Sequence, residues 1–218
     1  MDILFQDESI IAVNKPSGLL TIRDGYDSTL PTVKTLLEDE FGRLWIVHRL
    51  DKETSGVLIV ARNEEAHRTL NLAFENRQVQ KKYHAIIYGV PPDSEFVITF
   101  PLKVDGDRKH RTVVDLENGK SATSTIKVIE RFTNHTLVEI KPVTGYTHQI
   151  RAHLSYFGYP ILGDKLYQKP ASAQNDLIDR TALHAYQITF IHPVTNTLLT
   201  IHAEYSEDFQ IALSILRK

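Results

Sequence analysis

The chain has 218 residues, 42% of them hydrophobic, which is enough to bury a sizeable core in one large domain or two small ones. The formal net charge of −2 gives no sign of a polyanionic partner, so any nucleic-acid site has to be a local basic patch. The absence of cysteine excludes disulfides, thiolate zinc sites and cysteine nucleophiles.

We expect neither a membrane-spanning segment nor an export signal in this sequence. No stretch approaches the roughly 18 consecutive apolar residues that a membrane span needs. The first residues, MDILFQDE, carry acids where a signal peptide carries a basic region. We therefore expect a cytoplasmic protein.

The N-terminal part predicts two strands and a helix. The stretch ILFQDESIIAVNKPSG reads as two short strands around a polar turn. Ser28 and Thr29 can cap a helix that has Pro31 as its first residue and ends at Gly42. Its apolar residues recur at helical spacing: Val33, Leu36, Leu37 and Phe41.

A buried strand and a second helix follow. The run from Val57 to Ala61 is short, apolar and β-branched, which favours a buried strand over a helix. Asn63 can cap the next helix, whose early Glu64 and Glu65 suit the positive end of the helix dipole.

The second half alternates strands with two helices. The stretches YHAIIYGV, FVITF, ATSTIKVIERF and HTLVEIKPV are strand-like. Thr147 can cap a helix that runs to Gly158, and Ser206 can open a closing helix. LHAYQITFIHP and TNTLLTIHAEY predict a hairpin between these helices. Irregular interleaving of this kind indicates an α+β fold with a mixed sheet and not a doubly wound one.

Several common chemistries have no sequence support. There is no phosphate-binding or dinucleotide-binding glycine loop, no HExxH, and no GxSxG elbow around Ser55. His148 and His153 lie five residues apart and point in different directions on a helix, so they do not indicate a metal site.

One charged segment, VHRLDKETSG, directly precedes the buried strand and places Asp51 between Arg49 and Lys52. A carboxylate close to fixed cations stays ionised, which suits a nucleophile or an electrostatic stabiliser and not a general acid. The charge spacing alone is equally compatible with a loop aspartate that forms an ion pair or caps a turn.

The string HRLDKETSGVLIVA resembles the signature HRLDxxTSGxLxxA of the RluA-type RNA pseudouridine synthases. The resemblance covers nearly the whole chain, because four further blocks occur in family order: VNKPSGL, QKKYHAIIYG, KPVTGYTHQIRAHLSYFGYPILGDKLY and LHAYQITFIHP. It implies a single catalytic domain over residues 1–218, a mixed and mostly antiparallel sheet with a central active-site cleft, and no metal or cofactor.

The resemblance also implies the catalytic roles. Asp51 corresponds to the aspartate that attacks the uridine, and Tyr83 to the tyrosine that stacks on the base and can remove the proton from its carbon five. Arg151 corresponds to the basic residue that pairs with the aspartate. Arg49 corresponds to an arginine that enters the RNA where the target base is flipped out. We expect RNA contacts from Arg49, His48, Lys82, Thr147 and His148.

The chain departs from the family pattern in two places. Relatives usually read GRTHQIR, whereas this sequence has GYTHQIR with Tyr146 in place of the arginine. The motifs of the catalytic domain also begin within a few residues of the start of the sequence. Because this leaves no space before them, we expect no S4-like RNA-binding domain. This resembles the short members that act on transfer RNA or on a small stem-loop of ribosomal RNA. The sequence leaves the oligomeric state open, and we expect a monomer by default.

Two alternatives remain open from the residues. One is a non-catalytic RNA-binding protein with the synthase fold, and the other is a glycoside or nucleoside hydrolase that uses Asp51 with Glu53. Gly163 and Asp164 can be a simple turn, and His184 can be a buried core histidine.

Overall fold

The computed structural model describes residues 1–23, 27, 29–168 and 177–218. Within these residues the helices are α1 (Val33–Phe41), α2 (Glu64–Glu75), α3 (Gln149–Tyr156) and α4 (Glu207–Leu216). The strands are β1 (Asp2–Gln6), β2 (Ile10–Lys15), β3 (Trp45–Ile46), β4 (Ser55–Ala61), β5 (Gln80–Tyr88), β6 (Glu95–Ile98), β7 (Leu102–Lys103), β8 (Val113–Val114), β9 (Ser124–Arg131), β10 (His135–Pro142), β11 (Leu183–Ile191) and β12 (Leu198–His202).

The chain forms two compact units. Unit 1 contains residues 1–81 and 185–206, and unit 2 contains residues 82–184 and 207–218. The single domain expected over residues 1–218 stays a prediction. Among the described residues, no helix combines the length and apolar character that crossing a membrane requires.

Unit 1 is built around the buried strand β4. Antiparallel pairing joins β4 to β2 and to β3, joins β2 to β1, and joins β11 to β12. All seven residues of β4 are buried, which accounts for its unbroken apolar sequence. Asn63 caps α2 as predicted, because its side-chain oxygen accepts a hydrogen bond from the Ala66 amide at 2.9 Å.

The start of α1 differs from the prediction. Thr32 is the N-cap, and its side chain accepts from the Thr35 amide at 3.1 Å while the Thr35 hydroxyl accepts from the Thr32 amide at 2.9 Å. This reciprocal pair satisfies two helix-end amides at once, so the helix begins after Pro31 and not at it. Thr29 is therefore not the cap, and Ser28 lies outside the described residues.

Unit 2 contains an antiparallel sheet in which β10 pairs with β5 and β9, and β6 pairs with β9. The strands β7 and β8 form a separate two-stranded sheet. Helices and mostly antiparallel strands together define the α+β class, so the predicted fold class is confirmed. The expected cleft stays a prediction.

The cap of α3 also differs from the prediction. Its N-cap is His148, which has a left-handed backbone with φ of 55° and makes no side-chain capping bond. Thr147 precedes the cap, and its carbonyl accepts a 2.6 Å hydrogen bond from the Thr112 hydroxyl. His184 is fully buried, as the core interpretation expects.

Candidate active site

Asp51 lies in the loop of residues 48–54, which we call the Asp51 loop. This loop connects β3 to the buried start of β4. The Asp51 side chain is half-buried, and its carbonyl accepts a hydrogen bond from the Thr54 amide at 3.1 Å. The local turn therefore leads from the aspartate directly into a rigid strand.

A buried lysine, Lys15, holds the Asp51 loop through a hydrogen bond. Lys15 is the last residue of β2 and lies opposite Gly56 in the ladder between β2 and β4. Its side chain is completely excluded from solvent. The ammonium group donates to three main-chain carbonyls, those of Pro16 at 2.9 Å, Leu19 at 2.8 Å and Lys52 at 3.1 Å.

Residues 15–21, which we call the KPSG loop, form further hydrogen bonds to the Asp51 loop. Gly18 donates its amide to the Lys52 carbonyl at 2.9 Å, and the Ser17 hydroxyl donates to the Glu53 carbonyl at 2.8 Å.

On the other side of Asp51, the Thr21 hydroxyl donates to the Leu50 carbonyl at 3.0 Å and accepts from the Leu50 amide at 3.2 Å. The main chain is thus fixed immediately before and after Asp51. The block VNKPSGL contributed to the family resemblance, but its sequence did not predict these hydrogen bonds.

His48 is half-buried, and two contacts hold its ring. Its Nε2 accepts a hydrogen bond from the Ile59 amide at 3.0 Å, and its ring stacks on Phe74 with centroids 4.8 Å apart. Burial, together with the nearby charge of Lys81, lowers the pKa of His48 from 6.5 to about 3, so the imidazole is neutral. Burial likewise lowers the pKa of Lys81. Arg49, in contrast, is exposed.

Gly56 of the Thr-Ser-Gly motif occupies a position where no side chain fits. Its φ is 110°, and a Cβ at this position would collide with the main chain of Ala185. Only glycine combines this backbone conformation with such a close approach.

Lys82 and Tyr83 lie on β5 in unit 2. The Tyr83 side chain is half-buried and the residue lies opposite Ile140 of β10. The Lys82 ammonium lies 4.0 Å from the Glu139 carboxylate. The same carboxylate lies 3.8 Å from the Nε2 of His84, whose pKa is about 4 because burial outweighs the attraction of Glu139.

Arg151 occupies a buried position on α3 and forms a two-point ion pair with Asp164. Its Nε donates to one carboxylate oxygen at 2.7 Å and its Nη2 donates to the other at 2.8 Å. The centre of the guanidinium lies 5.1 Å from the centroid of the Tyr167 ring. The sequence left open whether Asp164 is only a turn residue, and it did not single out Tyr167.

Tyr167 connects Arg151 to two predicted RNA contacts. Its hydroxyl donates to the Thr112 carbonyl at 3.0 Å, accepts from the Thr112 amide at 2.9 Å, and lies 3.3 Å from the Nδ1 of His148. Because Thr112 also bonds the carbonyl of Thr147, unit 2 brings together Arg151, His148 and Thr147. The Thr147 side chain is exposed and His148 is half-buried.

A buried polar network fixes α3 itself. The Gln149 amide group donates to the Thr123 carbonyl at 3.0 Å and accepts from the Thr144 hydroxyl at 2.7 Å. His153 lies within 2.9 Å of the Phe100 carbonyl, and burial lowers its pKa. Tyr146, at the position where relatives usually carry arginine, donates its amide to the Gln149 side chain at 3.2 Å.

The predicted catalytic residues are distributed over both units. Asp51 belongs to unit 1, whereas Tyr83 and Arg151 belong to unit 2. Their joint action, and the RNA contacts expected from the five residues named above, stay predictions. No group of three or more metal-binding side chains occurs in the part of the chain that the structure describes.

Residues 9–156 match the family model described as RNA pseudouridylate synthase. The chain therefore belongs to the RNA pseudouridine synthase family, whose members are isomerases that act on RNA.

The dual-specificity RNA pseudouridine synthase RluA of Haemophilus influenzae is 36% identical over 209 residues, which cover 94% of this chain and 93% of that protein. RluA of Escherichia coli is 37% identical over 202 residues, covering 92% and 91% of the two chains. These identities support the RluA-type branch that the motifs indicated.

Solved structures agree with the fold. Human RNA Pseudouridylate Synthase Domain Containing 4 superposes with a TM-score of 0.80 at 29% identity and covers 99% of this chain and 92% of its own. Human RNA Pseudouridylate Synthase Domain Containing 1 gives 0.80 at 27% identity, covering 93% and 82%.

Proposed function

We propose that this protein isomerises specific uridines of ribosomal RNA, transfer RNA or both to pseudouridine, with Asp51 as the nucleophile. The observation that carries this proposal is the fixed main chain on both sides of Asp51. Residues 50, 52 and 53 are hydrogen-bonded to the KPSG loop, so the carboxylate is presented from a backbone with little freedom.

The reaction requires few chemical groups. The bond between N1 and the ribose C1′ breaks, a bond between C5 and C1′ forms, C5 loses a proton and N1 gains one. No electrons or phosphoryl groups are transferred, so we propose that no metal or cofactor takes part. A carboxylate nucleophile has to stay ionised, and we assign its stabilisation to Arg151.

We assign Tyr83 two roles, as a stacking surface for the flipped uracil and as the group that removes the C5 proton. Flipping a uridine costs a few kcal/mol, and stacking on an aromatic side chain returns about 1–3 kcal/mol. Arg49 is exposed in the Asp51 loop, which suits an arginine that fills the space left by the flipped base.

The name of the RluA relatives supports a proposal about substrate range. Those proteins are called dual-specificity synthases, and we propose that this chain likewise accepts target uridines in more than one RNA. We further propose that residues 1–218 act as one catalytic domain, as a monomer, in the cytoplasm.

Mapping pseudouridine in total RNA tests the proposal. Transfer RNA and ribosomal RNA from cells with and without the protein are compared by carbodiimide-dependent stops, and specific sites should disappear without it. Restoring wild-type protein should return the sites, whereas Asp51→Asn should not, although the purified variant should still bind the RNA.

Glu53→Gln is the matched control in the same loop. It should retain product formation, because Glu53 is bonded to the KPSG loop through its carbonyl and has no proposed catalytic role. If no pseudouridine site changes and the purified wild-type protein binds RNA without forming product, the protein is a non-catalytic RNA-binding protein and not an enzyme. Release of free uracil would instead indicate a hydrolase.

A further inference from the structure

Asp164 is a completely buried carboxylate with several hydrogen-bond donors around it. One oxygen accepts from Arg151 Nε at 2.7 Å. The other accepts from Arg151 Nη2 at 2.8 Å and from the amides of Leu166 and Tyr167 at 3.1 and 3.2 Å. Two main-chain donors therefore fix the carboxylate that orients the arginine.

The main chain at Asp164 is also constrained. The preceding Gly163 has φ of 73°, and a Cβ there would collide with the carbonyl of Arg180. The Asp164 amide donates to the Ile161 carbonyl at 3.2 Å, and its own carbonyl accepts from the Gln168 amide at 3.0 Å. Asp164 thus has little freedom in either its backbone or its side chain.

The Arg151 guanidinium is restrained from two directions. The Asp164 carboxylate contacts one edge of the guanidinium plane, and the Tyr167 ring lies 5.1 Å from its centre. A bidentate pair with a planar carboxylate fixes the rotation of the guanidinium as well as its distance. The two contacts together restrict the orientation of the guanidinium.

Other buried contacts also hold α3 in place. Gln149 and His153 already join the helix to Thr123 and Phe100 through buried hydrogen bonds. A buried ion pair is a poor source of stability, because the cost of desolvating both charges offsets most of their attraction. The contact therefore contributes the orientation of Arg151 more than the stability of the fold.

We propose that Asp164 is a positioning residue for the isomerisation reaction, because it fixes the direction in which the Arg151 guanidinium presents its charge. This inference rests on the catalytic role proposed for Arg151 and extends it to a residue that acts through the arginine. Asp164 itself has no proposed contact with RNA.

The chain offers a matched control in the same unit. Arg180 and Asp208 form a second two-point pair, with Nε and Nη2 of the arginine 2.6 and 3.1 Å from the two carboxylate oxygens. Arg180 is as buried as Arg151, at 7% side-chain exposure, whereas the Asp208 side chain is 44% exposed and that of Asp164 is fully buried. No catalytic role is proposed for either member of this control pair.

The test compares Asp164→Asn with Asp208→Asn, using a synthetic stem-loop that contains a uridine mapped as above. We expect Asp164→Asn to lower kcat about 100-fold, as a slight misplacement of a catalytic group does, while KM changes less than about threefold. Asp208→Asn should change neither constant. Melting temperatures of both variants separate lost stability from lost rate.

Asp164→Glu is the second variant, because it retains the charge and displaces the guanidinium by one methylene. If Asp164→Asn does not fold, a folded Asp164→Glu enzyme with reduced kcat supports the proposal. Wild-type kcat in either folded variant would overturn it, as would an equal loss of kcat in Asp208→Asn.

Arg151→Met separates this inference from the proposed function. If that variant is fully active, the catalytic role of Arg151 itself is wrong. If Arg151→Met is inactive while Asp164→Asn is fully active, Arg151 keeps its role and only the positioning role of Asp164 is wrong.

Discussion

The Lys15 ammonium donates a hydrogen bond to the Lys52 carbonyl at 3.1 Å, and the Lys15 side chain has no exposed surface. Burying an ammonium group is costly unless hydrogen bonds replace its water shell. Here the carbonyls of Pro16 and Leu19 also accept from the ammonium group, at 2.9 and 2.8 Å. The charge is therefore used to join the KPSG loop to the residue that follows Asp51.

Replacing this lysine should affect both stability and turnover. Lys15→Met keeps the length of the side chain but removes the ammonium donor from the Pro16 and Leu19 carbonyls, while the Lys52 carbonyl keeps the hydrogen bond from the Gly18 amide. Since an unsatisfied buried polar group costs about 1–3 kcal/mol, we expect the free energy of unfolding to fall by about 2 kcal/mol. Urea denaturation measures this change. The kcat, measured well below the melting temperature, should also fall, because the Asp51 loop is held less firmly.

Lys52→Met provides the comparison, because that side chain is exposed. Its free energy of unfolding should stay within about 0.5 kcal/mol of the wild type. Equal stability in the two variants would contradict the structural role of Lys15.

Local sequence patterns predicted those elements whose stabilising contacts are local. The apolar run of β4 and the Asn63 cap of α2 depend on neighbouring residues, and both were predicted. The two-residue strands β3, β7 and β8 are too short to show a period and were missed. The α3 cap was wrong because the left-handed backbone of His148 leaves no side-chain signal.

In the candidate site, too, the sequence indicated individual residues but not the distant contacts that hold them. Motif resemblance indicated Asp51, Tyr83 and Arg151 individually, but the groups that hold them are distant in sequence. Asp164 is 13 residues from Arg151, and Lys15 is 37 residues from Lys52. Such pairings depend on the packing of the fold, so no local pattern reveals them.

His48 should make the stability sensitive to acid. Its pKa is 6.5 as a free side chain and about 3 in the fold, because burial and the Lys81 charge oppose protonation. Between these values the unfolded chain binds a proton that the folded protein does not. Stability from neutral His48 is therefore complete above pH 6.5 and declines as the pH falls towards 3.

His48→Gln removes this titration, and its side-chain oxygen can still accept from the Ile59 amide. Below pH 6.5 the free energy of unfolding should depend less on pH, by at most about 1.4 kcal/mol per pH unit. His84, with a pKa of about 4, acts in the same direction. The double variant His48→Gln and His84→Gln should therefore show a further flattening in urea titrations at several pH values, and an unchanged slope would refute the assignment.

The Tyr83 hydroxyl can be tested apart from the ring. Tyr83→Phe retains the stacking surface but removes the group proposed to accept the C5 proton. General-base catalysis typically contributes 10²–10⁴-fold, so we expect kcat to fall at least about 100-fold with little change in RNA affinity. Single-turnover kinetics with saturating enzyme measure the chemical step directly.

Tyr159→Phe serves as the reference variant, since Tyr159 packs against Phe96 and Phe157 in the same unit and has no proposed role. It should retain wild-type turnover. If Tyr83→Phe does so as well, the tyrosine supplies stacking alone and another group takes the proton.

Salt should weaken RNA binding although the net charge of the protein is −2. Each phosphate neutralised by lysine or arginine releases counterions, so the logarithm of the affinity falls linearly with the logarithm of the salt concentration. The exposed Arg49 is one of the proposed contacts. Arg49→Gln should reduce the slope by about 1 if it meets a phosphate, and should leave the slope unchanged if it occupies only the space of the flipped base.

The exposed Arg68 of α2 gives a control of equal charge, and Arg68→Gln should leave the slope as it is in the wild type. Filter binding at several potassium chloride concentrations measures all three proteins with one stem-loop. A wild-type affinity independent of salt would mean that RNA is held by base stacking and hydrogen bonds without phosphate contacts. Equal reductions of the salt slope in Arg49→Gln and Arg68→Gln would instead indicate a general effect of net charge. A local RNA-binding patch would lose affinity only when one of its own residues is replaced.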